Sequence, residues 1–223
     1  MRRFVFIAGI LFISFQSIAQ TAPYRKKVIH KVTNALVEEY DLVDSASTVK
    51  NGYYARYYTD GKVRKTGSFA NNLRSGVWSF YDDNDKLIQR YNYTTGMGLF
   101  VPSDTIATYY LRMAGVDTNF YSTLQSPPLF IGGIVELRDF IGQNLRYPTI
   151  AKQNGITGNV VVTFFVNSNG YIETPKIVKP LGYGCEDEVL RVVNLLPRFI
   201  PARRQGSDTR QQYYMVFTFE SKK

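Results

Sequence analysis

The stretch "RYPTIAKQNGITGNVVVTFFVNSNGYI", Arg146 to Ile172, passes within a few residues from a short polar helix to an apolar strand. Pro148 pushes Tyr147 out of the α region and opens "PTIAKQNG", which reads as a helix closed by Gly155. The strand that follows places Val160, Val162, Phe164 and Val166 on one face. Asn159, Val161, Thr163 and Phe165 fall on the other, giving one fully apolar side and one mixed side. "NSNG" turns the chain, and Tyr171 to Val178 returns as an antiparallel partner weakened by Pro175.

Working outward, Leu137, Phe140, Ile141 and Leu145 recur at helical spacing ahead of Pro148. Beyond the hairpin, Glu186, Asp187 and Glu188 stand in a helical first turn. Val189, Leu190, Val193 and Leu196 supply its buried stripe until Pro197. A last alternating strand spans Gln211, Gln212, Tyr213, Tyr214, Met215, Val216, Phe217, Thr218 and Phe219, with Tyr213, Met215, Phe217 and Phe219 on one face. The compact solution is a three-stranded antiparallel sheet with helices on one face, the Val160 strand at its centre and the Gln211 strand at an edge.

The N-terminus has its own pattern. Arg2 and Arg3 precede the apolar run Phe4 to Phe15, and Ser17 and Ala19 occupy the −3 and −1 positions of a cleavage site, so residues 1–19 read as a secretory signal peptide. The alternative is an inner-membrane anchor through residues 4–19. The apolar run makes only about 18 Å of helix against a hydrocarbon core of about 30 Å. Cleavage would leave a periplasmic chain. The formal charge of +9 falls by two when Arg2 and Arg3 leave, and the basic residues are scattered, which reads as solvated surface. Export argues against nucleic acid as a partner, and a single cysteine, Cys185, forms no intramolecular disulfide.

Residues 20–93 are rich in tyrosine and glycine and contain a repeat. "GYYARYYTDGKV" from Gly52 and "GVWSFYDDNDKL" from Gly76 align with glycine, aromatic, tyrosine and lysine positions in register, and the same offset pairs Phe69 with Tyr93. Asp60-Gly61 and Asn84-Asp85 fit hairpin turns, so each unit reads as a β-hairpin stacked on its neighbour. The units Gly52, Gly67-Ser68-Phe69 and Gly76-Val77-Trp78 resemble MORN-type repeats, which implies a scaffold or interaction surface. Residues 94–126, with the strand-like "TIATYYLRM", read as a connector to a domain at 127–223. The fold class expected is α+β.

That last domain resembles the C-terminal domain of TonB-family energy transducers. The resemblance is carried by Tyr147, Pro148 and Ala151, by Gly158, Val160, Val162, Phe164 and Val166, and by the turn glycine Gly170. Glu186 to Val193 and "PRFIPA" from Pro197 through Pro201 to Ala202 complete it. Phe199 stands where the family often has tryptophan. The resemblance implies capture of the N-terminal peptide of an outer-membrane TonB-dependent transporter by strand addition along Gln211 to Phe219, with an inner-membrane motor complex as a further partner. Two departures touch the motor rather than the peptide. The hydrophobic segment is short, and aromatic repeats replace a proline-rich spacer. The alternative function is an envelope scaffold acting through the repeats.

Little in the sequence suggests an enzyme. His30, the only histidine, is far in sequence from Cys185. Cys185 reads as a small residue at a helix start, a position that predicts a lowered thiol pKa. The acidic triplet reads as helix-dipole complement. No Walker A loop, Rossmann glycine pattern or Cys/His cluster is present, so neither a cofactor nor a metal is expected.

Overall fold

The structure, a computed structural model, describes residues 23–100, Asp117 and 123–220. The expected signal segment and "TIATYYLRM" lie outside the described residues. Seven antiparallel strands come first: β1 (Tyr24–Ile29), β2 (Leu36–Leu42), β3 (Lys50–Tyr57), β4 (Val63–Ala70), β5 (Leu73–Tyr81), β6 (Leu87–Asn92) and β7 (Met97–Phe100). They pair in sequence order in one sheet. The two repeat units are the hairpins β3–β4 and β5–β6. Gly61 and Asp85 take equivalent left-handed positions in their turns, at φ 87° and 62°. The hairpins do not stack. Asn71 and Asn72, both at positive φ, form the two-residue turn that pairs β4 with β5 and makes the sheet continuous. β7 extends it into the stretch expected to be connector.

One face of this sheet is aromatic. Tyr54 and Trp78, equivalent in the repeat, lie 5.3 Å apart between ring centroids. Phe69 and Tyr93, the next equivalent pair, meet Trp78 edge-on at 5.2 and 5.8 Å. Gly67 is required here, because a Cβ on it would fall 2.3 Å from the Trp78 ring. Trp78 Nε1 donates to Ser68 O, so the indole is buried without an orphaned donor.

The C-terminal unit adds β8 (Leu129–Phe130), α1 (Gly133–Asn144), α2 (Thr149–Gln153), β9 (Gly158–Val166), β10 (Ile172–Lys179), α3 (Cys185–Asn194), β11 (Phe199–Ile200), β12 (Ala202–Arg204), β13 (Ser207–Thr209) and β14 (Gln211–Phe219). Its main sheet has the order β10-β9-β14, with β9 central as its apolar alternation requires. Val160, Val162, Phe164 and Val166 are fully buried against Leu137, Ala151, Val189, Val193 and Phe199. Two short pairs, β8 with β11 and β12 with β13, close the unit. Gly170 sits at φ 83°, and its N–H and C=O bind Asn167 O and Phe199 N. A Cβ there would lie 2.1 Å from Phe199 O, so only glycine lets the β9–β10 turn meet the Phe199 strand.

The two units pack through the aromatic face. Ile131 and Ile200 join its cluster, and Gln89, buried on β6, donates through Nε2 to Phe130 O and accepts from Gly132 N through Oε1. The Lys65 ammonium, 6% exposed, is held by both oxygens of Glu136 on α1 at 2.7 and 2.8 Å. Arg74 stands 3.5 Å from the same carboxylate, and Arg64 binds Asp139 one helical turn on.

Candidate functional site

A sheet of three strands has two edges, and here they differ. β10 carries two register irregularities, the first spanning Thr174 and Pro175. Thr174 is β-branched and sits at φ 48°, a bulge geometry, and Pro175 lacks a ladder donor. Glu173, Lys176 and Lys179 add charge along it. Bulges, proline and lysine are the devices that discourage strand addition.

β14 has none of them. It pairs with β9 over nine successive residues, Gln211 opposite Val166 through Phe219 opposite Gly158, without a break. Among the described residues no strand pairs with its outer side. The core-facing row is as the sequence predicts: Tyr213, Met215, Phe217 and Phe219 are buried in the core. Val216 is buried, Gln211, Gln212 and Tyr214 are half-buried, and Thr218 is exposed and donates to Asn159 Oδ1 at 2.9 Å. Tyr214 and Val216 lie opposite Thr163 and Val161 on the sheet's mixed face. Thr163 Oγ1 donates to Tyr213 O and receives Gln212 Nε2, which pins the two strands laterally.

The remaining motif residues hold β14 in place. Tyr147 packs its ring on Phe219 at 5.5 Å and donates its hydroxyl to Ile156 O. Pro148 caps α2 from an extended conformation. Gly158 starts β9 at φ 149°, and a Cβ there would fall 2.8 Å from Leu181. Pro201 is buried between β11 and β12. Phe199 packs edge-on against Phe164 and Tyr213, so phenylalanine fills the core position beneath β14.

Cys185 differs from expectation. It is buried in the core, and burial followed by the Glu186 carboxylate pushes its thiol pKa up rather than down. The helix-start effect loses because desolvation of a thiolate outweighs a partial dipole. His30 lies in the turn after β1, in the other unit, bonded to Thr33. The acidic triplet fans out. Glu186 accepts from the Leu181 and Gly182 N–H groups, and Glu188 takes Arg191 and the Arg146 N–H. The Arg191 guanidinium, against the burial that opposes it, holds the Glu188 carboxyl below its usual range. Among the described residues no group of three or more His, Cys, Asp or Glu could hold a metal, and no helix is long and apolar enough to cross a membrane.

Sequence reading missed the inter-unit cluster of Arg64, Lys65, Arg74, Gln89, Glu136 and Asp139. Lys65 sits among aromatics on an inward-facing strand position, but nothing local names its partner 71 residues away.

Residues 143–220, which run from the end of α1 through β14, match the family model for the Gram-negative bacterial TonB protein C-terminal. No curated protein gives a significant match. Among solved structures, the chain is similar to the NMR solution structure of Helicobacter pylori TonB-CTD, at 19% identity, covering 56% of this chain and 99% of that chain, with a TM-score of 0.32. The family match leaves the seven-stranded sheet outside it. Over residues 143–220, therefore, the chain is similar to the C-terminal domain of the TonB protein.

Proposed function

We propose that the C-terminal unit captures the N-terminal peptide of an outer-membrane TonB-dependent transporter by adding it as a strand beside β14, in the periplasm. The observation that carries this reading is the contrast between a broken, charged, proline-bearing β10 and a continuous β14. The family match over 143–220 supports the class of partner. Four or five added backbone hydrogen bonds, at about 0.5 to 1.5 kcal/mol each and less the ordering of the peptide, give roughly micromolar or weaker binding. Weak capture suits a partner that must be let go. Tyr214, Val216 and Thr218 flank the docked peptide, and Gln211 to Phe219 supply the main chain. The chain works as a binding and coupling protein rather than an enzyme. An inner-membrane motor is the further partner if residues 4–19 are retained as an anchor; cleavage after Ala19 leaves a periplasmic adaptor.

The test is cysteine cross-linking in a Cys185→Ser background. Cysteines at Tyr214, Val216 and Thr218 should trap a cysteine-bearing transporter peptide, whereas cysteines at Val161 and Thr163, one strand away on the same face, should not. Equal trapping on both strands refutes docking at β14. The scaffold reading finds less support, because the aromatic face of the repeats is already packed against the segment entering α1.

A further inference from the structure

The junction between the units forms an open cavity of about 670 Å³. Volumes of roughly 300 to 1,000 Å³ are those of small-molecule sites. Its walls are unusual in charge. Arg56, Lys65, Arg74 and Arg198 line it with only Glu136 and Asp139 as acids, leaving two more cations than acids. Both acids are already engaged. Glu136 holds Lys65 with both oxygens and faces Arg74, while Asp139 accepts from Arg64 behind the wall.

Among the described residues Arg56 and Arg198 have no acid within ion-pair distance. Glu38, opposite Arg56 on β2, accepts from the Tyr54 hydroxyl instead. Arg56 also lies directly across from Lys65 on β4, and because Glu136 already answers the Lys65 charge, the Arg56 charge is the one left over. Arg74 is held ready. Its guanidinium lies 4.6 Å above the Trp78 ring and donates to the Tyr93 hydroxyl at 2.6 Å. Four rings also line it, Tyr91, Tyr93, Phe130 and Phe140, beside Ile131, Gln143 and Pro197.

We propose that this cavity binds a small anionic ligand, an oxyanion group carried on an aromatic or apolar body. Arg56, Arg74 and Arg198 receive the charge, and Tyr91, Tyr93 and Phe140 enclose the body. The inference is independent of strand addition at β14. Guanidinium forks suit planar and tetrahedral oxyanions alike, so carboxylate and phosphate share this chemistry and the experiment separates them.

Trp78 is the sole tryptophan and sits beneath Arg74, which makes its emission an internal reporter. The purified full chain is titrated with benzoate and with phenyl phosphate, at ionic strength matched with chloride, and each titration is repeated by calorimetry. Saturable binding with a Kd of about 1 mM or tighter is expected for at least one anion. The tighter of the two assigns the ligand class. The Arg56→Gln/Arg198→Gln variant should weaken binding by about tenfold or more. It removes no ion pair among the described residues, so an unchanged Tm verifies that the site alone is altered. Benzyl alcohol should not bind measurably. No saturable signal by either method up to about 10 mM, equal affinity in the variant, or benzyl alcohol binding as well as the anions would each overturn the proposal.

Discussion

Glu136→Gln is the sharpest perturbation of the junction. It leaves the Lys65 ammonium, 6% exposed, without the carboxylate that holds it by two bonds of 2.7 and 2.8 Å. Removing one partner of a buried pair costs about 3 to 5 kcal/mol. A stranded lysine can instead shed its proton, which limits the loss. Burial already draws Lys65 downward, opposed by Glu136, so removing the opposition should lower it further. The sign follows. With the folded pKa below the unfolded one, the unfolded state binds more protons, and the variant regains stability as pH rises toward 10.5. Urea unfolding read by Trp78 emission and far-UV dichroism, at about pH 7 and about pH 9.5, measures both the loss and its pH dependence. A loss under about 1 kcal/mol, or one that does not shrink at the higher pH, refutes the pairing described. The double change Lys65→Met/Glu136→Leu should return to within about 2 kcal/mol of the parent, because the buried ammonium goes with its carboxylate, while Arg74, 31% exposed, keeps solvent and the Tyr93 hydroxyl.

Three further outcomes are expected. Gly170→Ala should destabilise the C-terminal unit by about 2 kcal/mol or more, seen in a thermal melt, since it combines a left-handed φ with a Cβ 2.1 Å from Phe199 O. Asp41 accepts from both Arg25 Nε and Nη2, and the Arg25 hydrogen bond, against burial, holds its carboxyl below the usual 3.8. Its contribution is therefore present above pH 3.8 and lost as pH falls through the lower folded value, and acid titration of Asp41→Asn should lack that component. Cys185→Ser should leave peptide capture intact yet cost about 1 to 3 kcal/mol in chemical denaturation. That exceeds the cost of under about 1 kcal/mol suited to a mere helix-start residue, because the thiol is wholly buried.

The main elements of the C-terminal unit were readable from periodicity because β9, β14 and α3 each have a dominant face, whereas the short pairs β8–β11 and β12–β13 carry no such pattern and were not read. Val160 to Val166 and Tyr213 to Phe219 alternate cleanly, and α3 shows its stripe between an acidic start and Pro197. The edge role of β14 could be read for the same reason, since only one arrangement buries both apolar rows. The seven-stranded sheet was legible only in part. Glycine and aromatic spacing marked the hairpins, but "YRKKVI" and "LVEEYDL" hide β1 and β2 behind charge. Asn71-Asn72 decided between stacked hairpins and a continuous sheet through backbone dihedrals, not side-chain pattern. The junction was illegible. Lys65 and Gln89 are polar residues at core positions, and their partners lie 71 and 41 residues away.

Gln89 uses both ends of one amide on Phe130 and Gly132, and Lys65 grips Glu136 one turn further along the same segment. The segment cannot slide along the sheet by trading one contact for another, because shifting it withdraws the donor, the acceptor and the ion-pair partner together. Mechanically the junction is a latch and not a hinge. A continuous run of contacts links β14 to β9, β9 through Phe164 and Phe199 to Phe130, and that segment to β6 and β4. These are interior strands of the seven-stranded sheet, flanked on both sides by hydrogen-bonded neighbours. If the proposed peptide docks at β14, a pull on it would be shared between two interior strands of the repeat sheet, β4 and β6, instead of peeling the sheet from its rim.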